Sequence, residues 1–338
     1  MKIRGHKDTQ NLFELENYLY NTICQDKEIN YLLFLPHFSQ EFVEERYTEM
    51  KQHIFILKEL QKIPFIKQRS QEWLDARKSR LTASDLEDAI KENNIRMAKK
   101  KAGIIKDNIN YNEIPALKWG TMFEPMASRC YSQDRMNIPI HEFGLLFDKN
   151  LEVFGASPDG INSMGIMIEI KCPFSREIVD EHIPSKYYMQ IQGQLAVCDL
   201  KYCDYIECEF KVFDTTYLYF TEMENFTINH GVIAEYYNEN TKEYEYIYSK
   251  PFLTPENAYE DIKEEIMQNK CRSELKLRRV HCWKLNKMNI QRVSFNQSLW
   301  NDTIPKIQKF WEKVESCRNL PVEEPKLKPK ILFIPDDD

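Results

Sequence analysis

Glycine is scarce in this chain, with 9 residues in 338. That excludes a Gly-rich loop cradling phosphates as the organising feature, and it excludes low complexity. No apolar run reaches the roughly 18 residues that a membrane span needs. The opening "MKIRGHKDTQ" has no apolar core, so it does not read as a secretory signal. The nine cysteines are an odd number, and they include no CxxC pair. The closest grouping, Cys198, Cys203 and Cys208, has no nearby histidine, so reduced structural thiols fit better than zinc. Positive charge is also short. The net charge is −7, which taken alone speaks against a nucleic-acid partner.

What is there is an ordinary globular balance, 42% hydrophobic and 29% charged, with 18 tyrosines and 19 phenylalanines. The length suits one large domain with attachments or two smaller ones. The charge is uneven. From Lys67 to Asp107, eleven Lys or Arg face seven Asp or Glu, and from Lys270 to Arg292 eight face one. Such stretches are either solvated faces or parts of a binding track.

Residues 1–65 read as helical. Val43, Tyr47, Met50, Ile54 and Leu57 share one helix face, and Pro64 closes the run. The bland expectation for this region is a helical extension packed on the main domain, and the alternative is a partner-binding arm. "QEWLDARKSRLTASDLEDAI" reads as helix, link and helix, with Thr82 or Ser84 as cap. "ALKWGTMFEPMASRCY" and "SKYYMQIQGQLAVC" read as helices, and "GLLFDKNLEVFGASPDG" and "GIMIEIKCP" as neighbouring strands. "YCDYIECEFKVFDTTYLYF" reads as further strands, "VHCWKLNKMNIQRVSF" as a strand pair, and "LWNDTIPKIQKFWEKVESC" as an amphipathic helix. Residues 319–338 read as an extended tail. The expected fold is α/β, with helices flanking a central mixed sheet.

The chemistry gathers in "SPDGINSMGIMIEIKCP". Strand alternation puts Ile166, Ile168 and Ile170 on one face and Glu169 with Lys171 on the other. A hairpin would bring Asp159 to Glu169. Two close carboxylates repel unless a cation joins them, and a hard divalent ion with oxygen ligands answers this better than zinc. The Ile170 carbonyl could complete the shell, and Lys171 could hold a water or neutralise charge on a phosphate. An isolated Glu-x-Lys on a strand is also commonplace as a surface ion pair.

The pattern "PDG…EIK" resembles the signature of the PD-(D/E)xK nucleases. The fuller "SPDG…IEIKCPFS" resembles the lambda-exonuclease or YqaJ-type viral recombinase branch. "WLDARKSRLTAS", "WGTMFEPMA" and "YYMQIQGQ" match three further motifs of that branch in order. The resemblance covers roughly residues 68–318. It implies a restriction-endonuclease-like fold over residues 66–318, between the helical extension 1–65 and the tail 319–338. It implies metal ligation by Asp159, Glu169 and the Ile170 carbonyl, with Glu124 supporting the metal. Lys171 would assist the attacking water, and Gln190 would be the active-site glutamine with Gln192 beside it. Arg77 and Ser84 would hold the 5′ phosphate of a DNA end, and Gln192 would join them in binding the DNA.

The implied activity is a Mg²⁺-dependent deoxyribonuclease, with Mn²⁺ as an alternative and two ions in the site. It would digest duplex ends 5′ to 3′ and leave 3′ single strands for recombination, repair or replication of viral DNA. A structure-specific or single-strand endonuclease with the same core is the second reading, and a non-catalytic DNA-binding or interaction module is the third. Implied partners are double-stranded DNA ends, a single-strand annealing protein and further copies of the chain; no membrane is implied. The Asn-, Ile-, Lys- and Tyr-rich composition suggests an AT-rich genome. Together with the viral branch, it points to a cytoplasmic DNA virus of the African swine fever type and to an intracellular site in the host cytoplasm.

Overall fold

The computed structural model describes residues 6–34, 36–68, 70–105, 114–223 and 229–322. The chain opens with helices α1 (His6–Cys24), α2 (Gln40–Leu60) and α3 (Gln71–Lys78), then strand β1 (Leu81–Thr82). Helices α4 (Leu86–Ile90), α5 (Ile95–Lys101) and α6 (Pro115–Asp134) follow. Next come the short strands β2 (Ile140–His141), β3 (Leu146–Phe147), β4 (Phe154–Ala156), β5 (Gly160–Asn162) and β6 (Met167–Lys171). The rest is α7 (Ser185–Cys198), β7 (Tyr202–Val212), α8 (Thr216–Met223), β8 (His230–Asn238), β9 (Glu243–Tyr248), α9 (Pro255–Asn269), β10 (Leu275–Ser294) and α10 (Gln297–Cys317). Most of the expected tail, residues 323–338, lies outside the described residues.

Seven strands form one mixed sheet in the order β2-β5-β6-β7-β10-β8-β9. Only β6 and β7 run parallel in it. A second sheet, β1-β4-β3, carries the segment leading into the "SPDG" turn. The alternation in β6 is realised on two buried faces. Ile166, Ile168 and Ile170 pack with Phe123, Met126 and Tyr131 of α6, while Met167 packs with Ile191 and Leu195 of α7. Each such side chain contributes about 1.5–3 kcal/mol on burial. Glu169 and Lys171 share the α7 face.

The N-terminal helices have no core of their own. Leu12, Leu15, Leu19, Val43 and Met50 lie in the same apolar cluster as Phe123 and Ile168. Polar groups lock them down as well. Glu16 of α1 is buried and accepts from Arg46 of α2 and, at 2.8 Å, from Arg292 of β10. Arg292 also pairs with buried Asp204 of β7, which accepts at 2.7 Å from Tyr131. Burial alone would raise the Glu16 carboxyl, but Arg292 and Arg46 hold it down at about 2.

Three local expectations are corrected. "VHCWKLNKMNIQRVSF" belongs to one 20-residue strand, not a pair. No Gly or Pro interrupts it, so the chain bends at register shifts between Leu277 and Arg279 and between Leu285 and Lys287, and pairs with β8 and then β7. "TYLYF" is helical, because Thr215 Oγ1 accepts from Leu218 N and starts α8 after the Asp-Thr-Thr link. Neither Thr82 nor Ser84 caps a helix with its side chain: Thr82 Oγ1 donates to Asp85 Oδ2 at 3.2 Å, and Ser84 Oγ accepts from Arg77 Nη2.

Candidate active site

The β5–β6 hairpin pairs Gly160 with Ile168. A Cβ at Gly160 would meet Ile140 Cγ2 at 2.5 Å, so only glycine lets the next strand lie this close. This register brings Asp159 alongside Ile170, whose backbone N–H donates to Asp159 Oδ2 at 2.7 Å. Glu169 is fully buried. Its Oε1 accepts from Lys171 Nζ and, at 2.7 Å, from Gln190 Nε2, and its Oε2 accepts at 2.7 Å from Gln194 Nε2.

The electrostatics draw the same residues together. Burial, then the negative charges of Glu169 and Glu124, push the Asp159 carboxyl well above the usual carboxylate range. Burial works to lower Lys171, but the charges of Glu169 and Asp159 outweigh it and raise the ammonium's pKa. Lys171 therefore stays protonated and acts as a hydrogen-bond donor. The charges of Glu169 and Glu124 thus act on Asp159, and those of Glu169 and Asp159 act on Lys171. Among the described residues, no three His, Cys, Asp or Glu side chains are drawn into ligand geometry. The donor set fits a hard divalent cation nonetheless. It is all oxygen, and each carboxylate oxygen keeps a further lone pair. Asp159, Glu169, Glu124 and the Ile170 carbonyl would hold it.

A second cluster is tethered to the same turn. Ser157 Oγ accepts at 3.0 Å from Trp73 Nε1, and the Arg77 guanidinium lies 4.3 Å from the centre of the Trp73 ring. Arg77 Nη2 donates to Ser84 Oγ at 3.0 Å. Gln68 donates to the Pro158 carbonyl at 3.3 Å. Helix α3 and the Thr82–Ser84 segment are thereby fixed beside the "SPDG" turn.

Gln192 is placed differently from Gln190. It is fully buried, its Nε2 donates to Ser294 O at 3.0 Å, and its Oε1 accepts from Asn296 N at 2.7 Å. Both amide ends tie α7 to the junction of β10 and α10, which leaves no open face toward DNA. The residue that sequence reading missed is Gln194, which also donates to Ser157 O at 3.3 Å. The signal was present: in "QIQGQ", positions 190 and 194 are one helical turn apart and share a face, whereas 192 points away. Where the site holds a divalent cation, Gln194→Leu should lower its affinity about 10- to 100-fold, because Glu169 loses one of its fixed donors. Unchanged affinity for the cation in this variant would remove Gln194 from the site.

Comparison with known proteins bears on this arrangement. Residues 72–201 match the family profile described as "YqaJ-like viral recombinase domain". The matched stretch runs from α3 through α7 and contains every candidate residue named above except Gln68, Ser294 and Asn296. An uncharacterized protein of Acanthamoeba polyphaga mimivirus is 27% identical over 316 residues, 81% of this chain. The chain spans 56% of that relative's length. Among solved structures, an alkaline exonuclease from Laribacter hongkongensis is 17% identical with a TM-score of 0.43, over 73% of this chain and 93% of that one. A phage-related exonuclease from Haemophilus somnus is 11% identical with a TM-score of 0.37, over 71% and 93%.

Proposed function

We propose that the protein is a metal-dependent DNA exonuclease that works from duplex ends, 5′ to 3′, with Mg²⁺ as the natural ion, Mn²⁺ as a substitute and two ions engaged. One observation carries the reading. Asp159, Glu169 and Lys171 meet at a turn that feels the charge of Glu124 and to which the Arg77–Ser84 cluster is also tethered. The match of residues 72–201 to a viral recombinase domain supports it.

The reaction is hydrolysis of a phosphodiester. Water oxygen bonds to phosphorus, the bond from phosphorus to the 3′ oxygen breaks, and that oxygen takes up a proton. A bound divalent cation supplies Lewis acidity and charge neutralisation at the phosphate. Lys171, held as an ammonium, donates to the water or to a phosphate oxygen. Neighbouring carboxylates accept the water's proton. Gln190 and Gln194 fix the Glu169 carboxylate, so little reorganisation remains when the phosphate arrives. Arg77 and Ser84 would hold the terminal 5′ phosphate, setting the register from the end to the cleaved bond.

The test offers the purified protein, with Mg²⁺, linear duplex bearing 5′ phosphate, linear duplex bearing 5′ hydroxyl, and closed circular DNA. Rapid loss of the first, slower loss of the second and persistence of the third are expected. Efficient cutting of closed circles would sink the end-directed reading.

A further inference from the structure

The turn that joins β5 to β6 lies between Asp159 and Glu169, and it is buried. Every residue from Gly160 to Ile170 is shielded from solvent, although connections of this kind ordinarily run over the surface. Helix α2 covers this one. Gly165 has φ +77°, and a Cβ there would meet His53 Cβ at 2.5 Å, His53 C at 2.7 Å and His53 O at 2.8 Å. Two of those atoms are backbone and cannot rotate aside, so α2 bears directly on the turn. Met164 and Ile166 lie in the same apolar cluster as Val43 and Met50 of α2.

A second link is polar. Asn162 Oδ1 accepts from Met164 N at 3.0 Å and from Ile166 N at 3.1 Å, which fixes the shape of the turn. Asn162 Nδ2 donates to the Tyr131 hydroxyl at 3.1 Å. Tyr131 donates to Asp204, Asp204 pairs with Arg292, and Arg292 reaches Glu16 of α1. The hairpin needs such support. β5 pairs with β6 at two positions, Gly160 with Ile168 and Ile161 with Met167. So short a ladder has little of its own to hold Asp159 against the Ile170 N–H.

We propose that α1 and α2 clamp the β5–β6 turn, with Gly165 as the positioning residue on which α2 seats, and that the clamp keeps Asp159 and Glu169 at the spacing a divalent cation needs. This rests on the metal site proposed above. The clamping helices precede residues 72–201, so they add to the matched stretch a support that lies outside it.

The experiment measures two quantities without DNA: Mn²⁺ affinity by electron paramagnetic resonance, and, in EDTA, amide hydrogen exchange of the segment 159–171. Gly165→Ala should bind Mn²⁺ about tenfold more weakly, the usual scale of loss when the groups that orient a ligand are disturbed, and its segment should exchange faster. Met164→Ala withdraws a contact and adds no atom. It should move both readouts in the same direction, and it decides the matter if Gly165→Ala does not fold. Ile262→Ala is the control, because Ile262 packs in the separate cluster beneath α9. It should lower the melting temperature and leave both readouts native. If the Gly165 and Met164 variants keep native Mn²⁺ affinity and native exchange, as the control should, the clamp is overturned. If the native chain binds no Mn²⁺, the metal reading fails instead, and the exchange comparison alone decides the clamp.

Discussion

Asp159→Asn should leave a protein that melts at a higher temperature than the native chain in the absence of divalent ions and yet cleaves no DNA. The activity loss should be on the order of 10³-fold or more, since the substitution removes a charge that would hold the catalytic ion in the proposed site. The gain in stability follows from linkage. The folded Asp159 carboxyl is raised above its ordinary value of 3.8 by burial and by Glu169 and Glu124. The folded state therefore keeps that proton to higher pH than the unfolded chain does. The native protein loses stability as pH rises above 3.8 through the raised value. Asparagine cannot ionise, so the variant escapes this loss at neutral and alkaline pH, and the difference should close in acid. It can still accept from Ile170 N, so the turn should stay intact. Thermal unfolding with EDTA and with Mg²⁺ checks both halves. Mg²⁺ should raise the melting temperature of the native chain and leave the variant nearly unmoved. Retained nuclease activity, or an equal response to Mg²⁺, would refute the metal assignment.

The second large effect lies in the buried ion network that joins α1, α2, β7 and β10. Arg292→Met should cost about 3–5 kcal/mol, the loss expected when one partner of a buried charge network is removed and the others stay behind. Glu16 and Asp204 are 1% and 2% exposed, and Arg292 is the cation common to both. Without it, Asp204 keeps the Tyr131 hydroxyl but no cation of the network, and α1 loses its ionic tie to β10. The urea midpoint measures this. A shift within the range of ordinary surface substitutions, about 0.5 kcal/mol, would mean that the apolar contacts alone dock the N-terminal helices. The same network sets an acid limit. Glu16 is held at about 2 against an ordinary 4.5, so its contribution is complete above 4.5 and is lost as pH falls from 4.5 to about 2. Glu16→Gln should flatten that part of the stability profile.

Much of the fold was legible because periodicity and punctuation agree. α7 spans Ser185–Cys198, the bounds that its apolar spacing suggested, and β6 carries the alternation read from three isoleucines. α10 likewise follows its stripe, with Trp300, Ile307, Phe310, Trp311 and Val314 buried. The misses share one cause: local pattern does not encode the partner. β10 looked like two strands because its pairing changes from β8 to β7 along its length, and a bulge needs no turn residue. "TYLYF" looked like a strand because aromatic residues suit both states, and a single threonine hydroxyl decided for helix. Thr82 and Ser84 looked like caps because Ser and Thr favour that position. The nearness of Asp85 and Arg77 gave their hydroxyls charged partners instead, Asp85 accepting from Thr82 and Arg77 donating to Ser84.

The sequence by itself determined the helices and strands whose apolar period is uninterrupted, and the grouping of an aspartate, a glutamate and a lysine on a hairpin. Side-chain alternation is a property of the backbone and needs no tertiary contact. Only the tertiary structure decided which glutamine of "QIQGQ" faces Glu169 with Gln190, and which is spent on Ser294 and Asn296. Only it showed that α1 and α2 share the core and that Glu16 meets Arg292 across 276 positions of sequence. Those outcomes depend on which surfaces meet. Desolvation then makes each pairing of a buried charge obligatory, so the contacts that hold this fold together are the ones that a linear pattern cannot display.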